Sequence, residues 1–312
     1  MARLQFVVPD HWDGQRLDTF LRNEHFLSGS TLRKARWHPM GLTMDGHHIR
    51  TVDPIRSGAT ILVDTGSEYA QYDHLDLPVP VIYEDDWMKV FNKPPALATH
   101  PSKGHPFDTL ANVFAAQPST AGMPYRPVGR LDQDTSGVLV AAKHAHAAHL
   151  LAMGMKKRYL ALVSGIPPTK EGTIQCPIGR QAPGDVLRCV TPDGQAAVTH
   201  YRLIASQSRY SLVELWLETR RTHQIRVHMS HIGCPLIGDT LYGGNLSLAS
   251  RHLLHCYLVS WNSYPSTAQP LVLSAPAAED MSTVIHQLFP SVNAEELIMS
   301  LATHLKKQSH PF

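Results

Sequence analysis

The chain has 312 residues, of which 43% are hydrophobic and 17% are charged, so it can bury a sizeable core and wholesale disorder is excluded. Its 28 Lys and Arg residues against 26 Asp and Glu residues leave a net charge of +2, which excludes a histone-like or polybasic protein. The four cysteines contain no CxxC pair, which argues against a zinc ribbon.

The N-terminal sequence MARLQFVVPDHWDG lacks the long apolar stretch of a signal peptide, and no apolar run approaches the roughly 20 residues of a membrane span. We therefore expect a cytoplasmic, monomeric protein that does not bind membranes. His144, His146 and His149 lie close in sequence, but no carboxylate or cysteine accompanies them, so no metal site is predicted there.

Residues 1–64 are predicted to form a small α/β module. One amphipathic helix begins after Gly14, and a second helix carries Arg33, Lys34 and Arg36. Residues 41–46 predict a strand and a turn, because Asp-Gly is a strong hairpin signal, and a last strand follows. The acidic, Pro-containing stretch 65–80 is typical of a linker.

A larger domain is predicted over residues 81–276. Strands are expected at 81–83, 88–91, 137–142, 159–163 and 210–217, and helices at 108–116, 143–156 and 222–232. Because strands mostly follow one another with few helices between them, the pattern predicts an α+β fold with a largely antiparallel sheet. Residues 277–312 are expected to add a C-terminal helix over 295–305 and a tail.

Two carboxylates, Asp132 and Asp134, stand in the segment GRLDQDTSG directly before an apolar strand. A reactive carboxylate suits this place, because a loop held by a rigid strand positions its side chains well. The alternative is an ordinary Asx-turn before a strand, which uses the same residue types.

Two further groups of residues could carry chemistry. In the segment RRTHQIRVHM, His223 and Arg226 share one face of the predicted helix, where a guanidinium usually has a carboxylate partner; the alternative is a surface helix. Tyr159 follows Lys157 and Arg158 and offers a planar face on which a base can stack; the alternative is a half-buried strand tyrosine.

No P-loop, GxGxxG, HExxH or Gly-x-Ser-x-Gly motif occurs, so functions that depend on those motifs lack support. A carboxylate, an arginine and an aromatic side chain suit cofactor-free nucleophilic or acid–base chemistry on an anionic, planar substrate. Basic residues are densest at 156–158 and 220–226, which favours a polyanionic partner, although a solvated basic face has the same composition.

Five segments in this order resemble the RluA-type pseudouridine synthases: VIYEDDWMKVFNKPPALATHP, GRLDQDTSG, KRYLALVSG, RTHQIRVHMSHIGCPLIGDTLYGG and RHLLHCYLVS. The resemblance spans about residues 81–276. Residues 1–64 resemble, more weakly, the S-four-like RNA-binding domain that is often fused to such enzymes, and within them Arg33, Lys34 and Arg36 are expected to contact RNA.

The resemblance implies a mixed, mostly antiparallel sheet with helices around a central cleft, and the isomerisation of uridine to pseudouridine in structured RNA without a cofactor. It makes Asp132 the catalytic carboxylate and Arg226 its partner. It further implies that Tyr159 stacks on the uracil and that Arg130 flips the uridine out or takes its place. Arg221 and His223 are expected to contact the substrate.

The sequence departs from the family pattern at three places near these motifs. Gly129 stands where the family usually has His, Arg220 where it has Gly, and Ala96 where NKPxG has Gly. The fused module favours ribosomal RNA as substrate, with transfer RNA as the alternative. A catalytically weak RNA-binding or ribosome-assembly protein is a second alternative, and a hydrolase with an aspartate nucleophile is a third.

Overall fold

A computed structural model describes residues 3–27, 29–38, 40–64, 72–102, 104–182, 184–265 and 267–308. The N-terminal part is a four-stranded antiparallel sheet, in the order β1-β4-β2-β3, with two helices packed on it. Its elements are β1 (Arg3–Val7), α1 (Leu17–Asn23), α2 (Gly29–Trp37), β2 (Leu42–Met44), β3 (His47–His48) and β4 (Thr60–Asp64). Asp45 and Gly46 both have positive φ, as the predicted Asp-Gly turn requires.

This module has a hydrophobic core of its own, built around the buried side chains of Leu17, Phe20, Leu32 and Ile61. Residues 65–71 of the predicted linker lie outside the described part of the chain. The second half of the linker is attached to the larger domain, because the amide of Asn112 donates to the Asp73 carbonyl at 2.8 Å.

Ten strands form the sheet of the larger domain, with β10-β13-β14-β9-β15-β8-β6-β5 as its main path. In addition, β16 pairs with β15 and β7 pairs with β8; every described pair is antiparallel except β15 with β8. The strands of this domain are β5 (Val81–Glu84), β6 (Met88–Lys93), β7 (Arg126–Val128), β8 (Ser136–Ala142), β9 (Lys156–Ser164), β10 (Glu171–Gln175), β11 (Ile178–Arg180), β12 (Arg188–Val190), β13 (Val198–Gln207), β14 (Tyr210–Leu217), β15 (Leu254–Trp261) and β16 (Leu271–Ser274). The predicted α+β class with a mostly antiparallel sheet is confirmed.

Helices cover both faces of this sheet. They are α3 (Leu110–Ala116), α4 (Ala145–Gly154), α5 (Gln224–His231), α6 (Glu279–Leu288) and α7 (Ala294–Gln308). Side chains alternate along β9: Tyr159 and Ala161 join the core on the cleft side, whereas Leu160 and Leu162 pack in the core that α6 and α7 cover. Among the described residues, no helix has both the length and the apolar character needed to cross a bilayer.

Several predicted helix ends differ from the observed ones, and two of them have a clear structural reason. The basic residues from Lys156 were expected to end α4, but α4 stops at Gly154 and Lys156 begins β9, where it pairs with Ser260 of β15. The helix expected from Thr222 begins at Gln224, because His223 has a left-handed backbone with φ of 57°. The C-terminal helix expected over 295–305 lies within α7, whereas α6 was not predicted.

Candidate active site

The loop between β7 and β8 presents Asp132 at the edge of a cleft. Buried side chains from two other segments, residues 93–99 and 251–252, hold this loop. The Thr99 hydroxyl donates to the Leu131 carbonyl at 2.7 Å, and Thr135 hydrogen-bonds His252 Nε2 at 2.9 Å. A loop tied in this way keeps the carboxylate in one position, as catalysis requires.

Lys93, at the end of β6, is fully buried below the same loop. Its ammonium donates to the carbonyls of Pro94, Leu97 and Gln133 at 2.7–2.8 Å, so it joins the NKPPA segment to the Asp132 loop. Burial first, and then the charge of Arg251, lower the pKa of Lys93 to about 7.

Arg251 holds the loop from the opposite side. Its Nη1 donates to the Asp134 carbonyl at 2.7 Å, and its Nε and Nη2 make a bidentate pair with Asp280 at 2.6 and 2.8 Å. Asp280 lies in the first turn of α6, so the C-terminal helices are connected to the loop that carries Asp132.

The Asp132 carboxylate faces two cationic or titratable groups. Its Oδ2 lies 3.5 Å from Arg226 Nη1 and 3.9 Å from His223 Nε2, and its side chain is 32% exposed to the cleft. The expected proximity of Arg226 and Asp132 is therefore present in the structure.

Arg226 has a closer partner than the one expected. Its Nε and Nη2 donate to the two carboxylate oxygens of Asp239, each at 2.7 Å, and Asp239 is 1% exposed. Burial alone would lower the pKa of Arg226, but the hydrogen bonds and charge of Asp239 raise it above its ordinary value. Asp239 therefore fixes a permanently charged guanidinium whose remaining nitrogen points toward Asp132.

His223 and Tyr242 complete this side of the site. The two side chains hydrogen-bond through His223 Nδ1 and the Tyr242 hydroxyl at 2.7 Å, and the Tyr242 ring centre lies 4.9 Å from the Arg226 guanidinium carbon. Burial lowers the pKa of His223, which favours the neutral imidazole.

Tyr159 lines the cleft from β9 and is 7% exposed. Burial raises the pKa of its hydroxyl well above the ordinary value, so the phenol stays neutral. Its place in the cleft wall is compatible with a base lying against the ring.

The cleft has a volume of about 740 Å³ and brings together the six predicted site residues of the larger domain. Among the described lining residues, Asp132 is the one carboxylate. Five other lining residues are Arg or Lys: Arg130, Lys157, Arg220, Arg221, Arg226. Arg130 is exposed, whereas Arg221 is anchored by its Nε donating to the Ala196 carbonyl at 3.0 Å. The cleft thus suits an anionic ligand.

The other predicted binding residues lie elsewhere. Arg33, Lys34 and Arg36 are exposed on α2, with Trp37 80% exposed beside them. Within the described ranges, no group of three or more His, Cys, Asp or Glu residues is arranged to hold a metal ion.

The chain is similar to known proteins of one family. A sequence model of the RNA pseudouridylate synthase family matches residues 88–231. The chain is 37% identical to the uncharacterized RNA pseudouridine synthase YhcT of Bacillus subtilis, over 92% of this chain and 97% of that protein. The chain belongs to the RNA pseudouridine synthase family. As a member, this enzyme isomerises uridine to pseudouridine in RNA.

A second relative and a solved structure support the same family and fold. Ribosomal large subunit pseudouridine synthase D of Xanthomonas campestris pv. campestris is 37% identical, over 91% of this chain and 92% of its own. The solved structure of Human RNA Pseudouridylate Synthase Domain Containing 4 has a TM-score of 0.55 at 24% identity, over 67% of this chain and 92% of its own. The latter shows the fold alone.

Two departures of the synthase from its family pattern have a visible structural setting. Ala96 takes the left-handed backbone, with φ of 61°, that a glycine would adopt without strain. Gly129 has φ of 73°, and a Cβ there would lie 3.2 Å from Met155 Cε. A side chain at position 129 would therefore need its neighbours to move.

Sequence reasoning missed three groups that hold the synthase's site together. Asp239 stands in the segment PLIGDTLYGG, which was part of the resemblance but had no assigned role. Lys93 and Arg251 likewise stand in the quoted segments, each within two residues of an apolar side chain. That pattern is a usable signal, because a buried charge needs a partner supplied by the fold.

Proposed function

We propose that the synthase modifies ribosomal RNA and uses Asp132 as its catalytic carboxylate. Relatives named ribosomal large subunit pseudouridine synthase D, from Xanthomonas campestris and Pseudomonas aeruginosa and each 37% identical, support the ribosomal target. The observation that carries the catalytic assignment is the cleft, in which one carboxylate faces Arg226 among five Arg or Lys residues.

The reaction is an isomerisation, so no oxidant or reductant enters its balance. The bond between N1 and C1′ breaks, a bond between C5 and C1′ forms, and the proton lost from C5 is matched by one gained at N1. A carboxylate can serve this chemistry by attacking C1′ or by taking a ribose proton. Both roles need an ionised Asp132 next to the sugar, and Arg226 Nη1 lies 3.5 Å from its carboxylate.

The target uridine must leave its stack before Asp132 can reach it. Unstacking costs a few kcal/mol, which an inserted side chain and a stacking aromatic offset. Arg130 is exposed next to the catalytic loop and suits the first role, and Tyr159 suits the second. Arg221 and His223, on the facing wall, suit contacts to the flipped nucleotide.

We further propose that residues 1–64 form an S-four-like RNA-binding module that adds affinity without chemistry. Its support is the exposed row Arg33, Lys34 and Arg36 on α2, beside an exposed tryptophan. Phosphate contacts of this kind position an RNA but do not specify its sequence. We also propose that the enzyme is cytoplasmic and monomeric.

The decisive experiment is pseudouridine mapping of ribosomal and transfer RNA from cells with and without the gene. Loss of one or more pseudouridines in large-subunit RNA, restored by the wild-type gene but not by Asp132→Asn, is the expected result. A loss confined to transfer RNA would instead identify transfer RNA as the substrate. An unchanged map would contradict the proposed target, and restoration by Asp132→Asn would contradict the catalytic assignment.

A further inference from the structure

One wall of the cleft carries two cations that the reaction at Asp132 does not use. Lys157 precedes Tyr159 by two residues on β9, so the two side chains leave the strand on the same face. Arg220 lies in the segment between β14 and α5 and lines the same cleft. Both cations therefore stand beside the ring against which the base is proposed to lie.

Each of these cations is held by a backbone carbonyl. Lys157 Nζ donates to the Gly129 carbonyl at 3.1 Å, and Arg220 Nη2 donates to the Met155 carbonyl at 2.6 Å. A Cβ at Gly129 would lie 3.4 Å from Lys157 Nζ and 3.2 Å from Met155 Cε. The glycine thus leaves the space in which the ammonium sits.

Neither cation makes an ion pair with a carboxylate in the described part of the chain. Lys157 is only 7% exposed, although an ammonium can donate three hydrogen bonds. Burial lowers the pKa of Lys157, and the charge of Arg220 lowers it further. An anion placed between the two groups would relieve both their repulsion and the cost of burying an unpaired charge.

We propose that Lys157 and Arg220 form a subsite for one backbone phosphate of the RNA, next to the target uridine. The inference rests on the proposed function, because it takes RNA to be the ligand of the cleft. A nucleotide whose base lies against Tyr159 carries a phosphate on each side of its ribose. Nε and Nη1 of Arg220, which make no hydrogen bond within the described part of the chain, suit the oxygens of such a group, and the Lys157 ammonium adds a point charge.

The subsite would set the position of the ribose relative to Asp132. Phosphate contacts fix the register and orientation of a nucleic acid. A phosphate held by two carbonyl-anchored cations would therefore fix one end of the nucleotide, while Tyr159 fixes its base.

The test uses an RNA stem-loop that contains the target uridine and one uncharged methylphosphonate, placed in turn at each phosphate near that uridine. Affinity is measured by equilibrium binding, and pseudouridine formation by single-turnover rate. We expect one position at which the neutral linkage weakens binding to the wild type about tenfold. Arg220→Gln should bind the unmodified RNA about tenfold more weakly and show no further loss at that position.

The matched control is Arg209→Gln, which removes an exposed arginine from the turn between β13 and β14. It should behave like the wild type at every position. The magnitude of the slope of log K against log salt should be smaller by about 0.7 in Arg220→Gln and should remain unchanged in the control. Arg220→Lys, which keeps a cation, should recover part of the sensitivity to the neutral linkage.

Equal losses at every methylphosphonate position in the wild type and in Arg220→Gln would overturn the subsite. That result would leave the proposed function intact, provided that the wild type still forms pseudouridine in the unmodified RNA. Failure of the proposed function would look different: the wild type would form no pseudouridine in any ribosomal fragment, while the binding data would still report on the two cations.

Discussion

The loop that carries Asp132 and the helix α2 of the N-terminal module present their charges in opposite ways. Around Asp132, buried side chains grip the loop carbonyls, and Asp239 grips Arg226 through two short hydrogen bonds. On α2, the cations stand exposed on the helix surface, and the module is built on a separate core. One region fixes a few charges through buried contacts, and the other displays several charges on an exposed surface.

This difference follows from what each region is proposed to do. Bond making requires reacting groups to be held within a fraction of an ångström, so supporting contacts are numerous and buried. Electrostatic attraction to a polyanion acts over several ångströms and tolerates motion of the side chains. Substitutions should therefore change the rate in the first region and the affinity in the second.

The largest expected effect is that of Asp132→Asn. We expect the single-turnover rate to fall about 1000-fold or more, because an amide can neither attack C1′ nor take a proton. RNA affinity should stay within about threefold, since the cations of the cleft remain. Asp134→Asn is the matched control and should keep most activity. An inactive Asp134→Asn beside an active Asp132→Asn would reverse the assignment.

Asp239→Asn should have the next largest effect. The substitution removes the charge that holds Arg226, and breaking a buried ion pair by changing one partner is costly. We expect the single-turnover rate at saturating RNA to fall about 100-fold, with a smaller change in affinity. Asp193→Asn, at an exposed position, serves as the control. A normal rate in Asp239→Asn would show that Arg226 does not need this anchor.

Tyr159 separates stacking from hydroxyl chemistry. Loss of the ring in Tyr159→Ala should cost roughly 1–3 kcal/mol in transition-state stabilisation, whereas Tyr159→Phe should stay within about threefold of the wild type. Because burial raises the pKa of the hydroxyl, the rate of Tyr159→Phe should follow the same pH profile as the wild type. Equal losses in the two variants would instead assign the role to the hydroxyl.

Removal of residues 1–70 tests the second region. The catalytic domain has its own core, so the truncated protein should fold, keep its rate on a minimal stem-loop and bind long structured RNA about tenfold more weakly. Each lost phosphate contact should lower the salt slope of log K by roughly 0.7–0.9. Replacing Arg33, Lys34 and Arg36 by Gln should reproduce the change in slope. Unchanged affinity with a lower melting temperature would show that the module only braces the enzyme.

The smallest effect is expected at Ala96. Since its φ is 61°, Ala96→Gly should relieve a left-handed backbone and raise the free energy of unfolding by about 0.5–1 kcal/mol. Ala148→Gly, within α4, should lower it by about 1 kcal/mol. Chemical denaturation of the three proteins measures both signs, and a destabilised Ala96→Gly would contradict the account.

The sequence was most informative where a local pattern decides the structure. The strand over 210–217 was predicted with its observed bounds, and the turn at Asp45 and Gly46 followed from two residues. The segments quoted for the resemblance contain all six predicted residues that line the cleft.

The remaining contacts depend on long-range pairing. Arg226 was expected to pair with Asp132, but its closest partner, Asp239, comes from the loop after α5. Similarly, Lys156 has the charge of a helix end but lies in a strand, because β15 supplies its hydrogen-bond partners. Charge and periodicity describe what one segment prefers, whereas these partners are chosen by how the sheet is assembled.

The ion pair between Arg251 and Asp280, which supports the Asp132 loop, affects the order in which the nascent protein can fold. A ribosome makes residues 3–64 before the larger domain, and these residues already contain a small hydrophobic core. The loop around Asp132 is made later, and Asp280, which supports this loop through Arg251, is made later still. The order of synthesis thus lets the proposed RNA-binding module fold before the loop around Asp132 has its full set of supporting contacts.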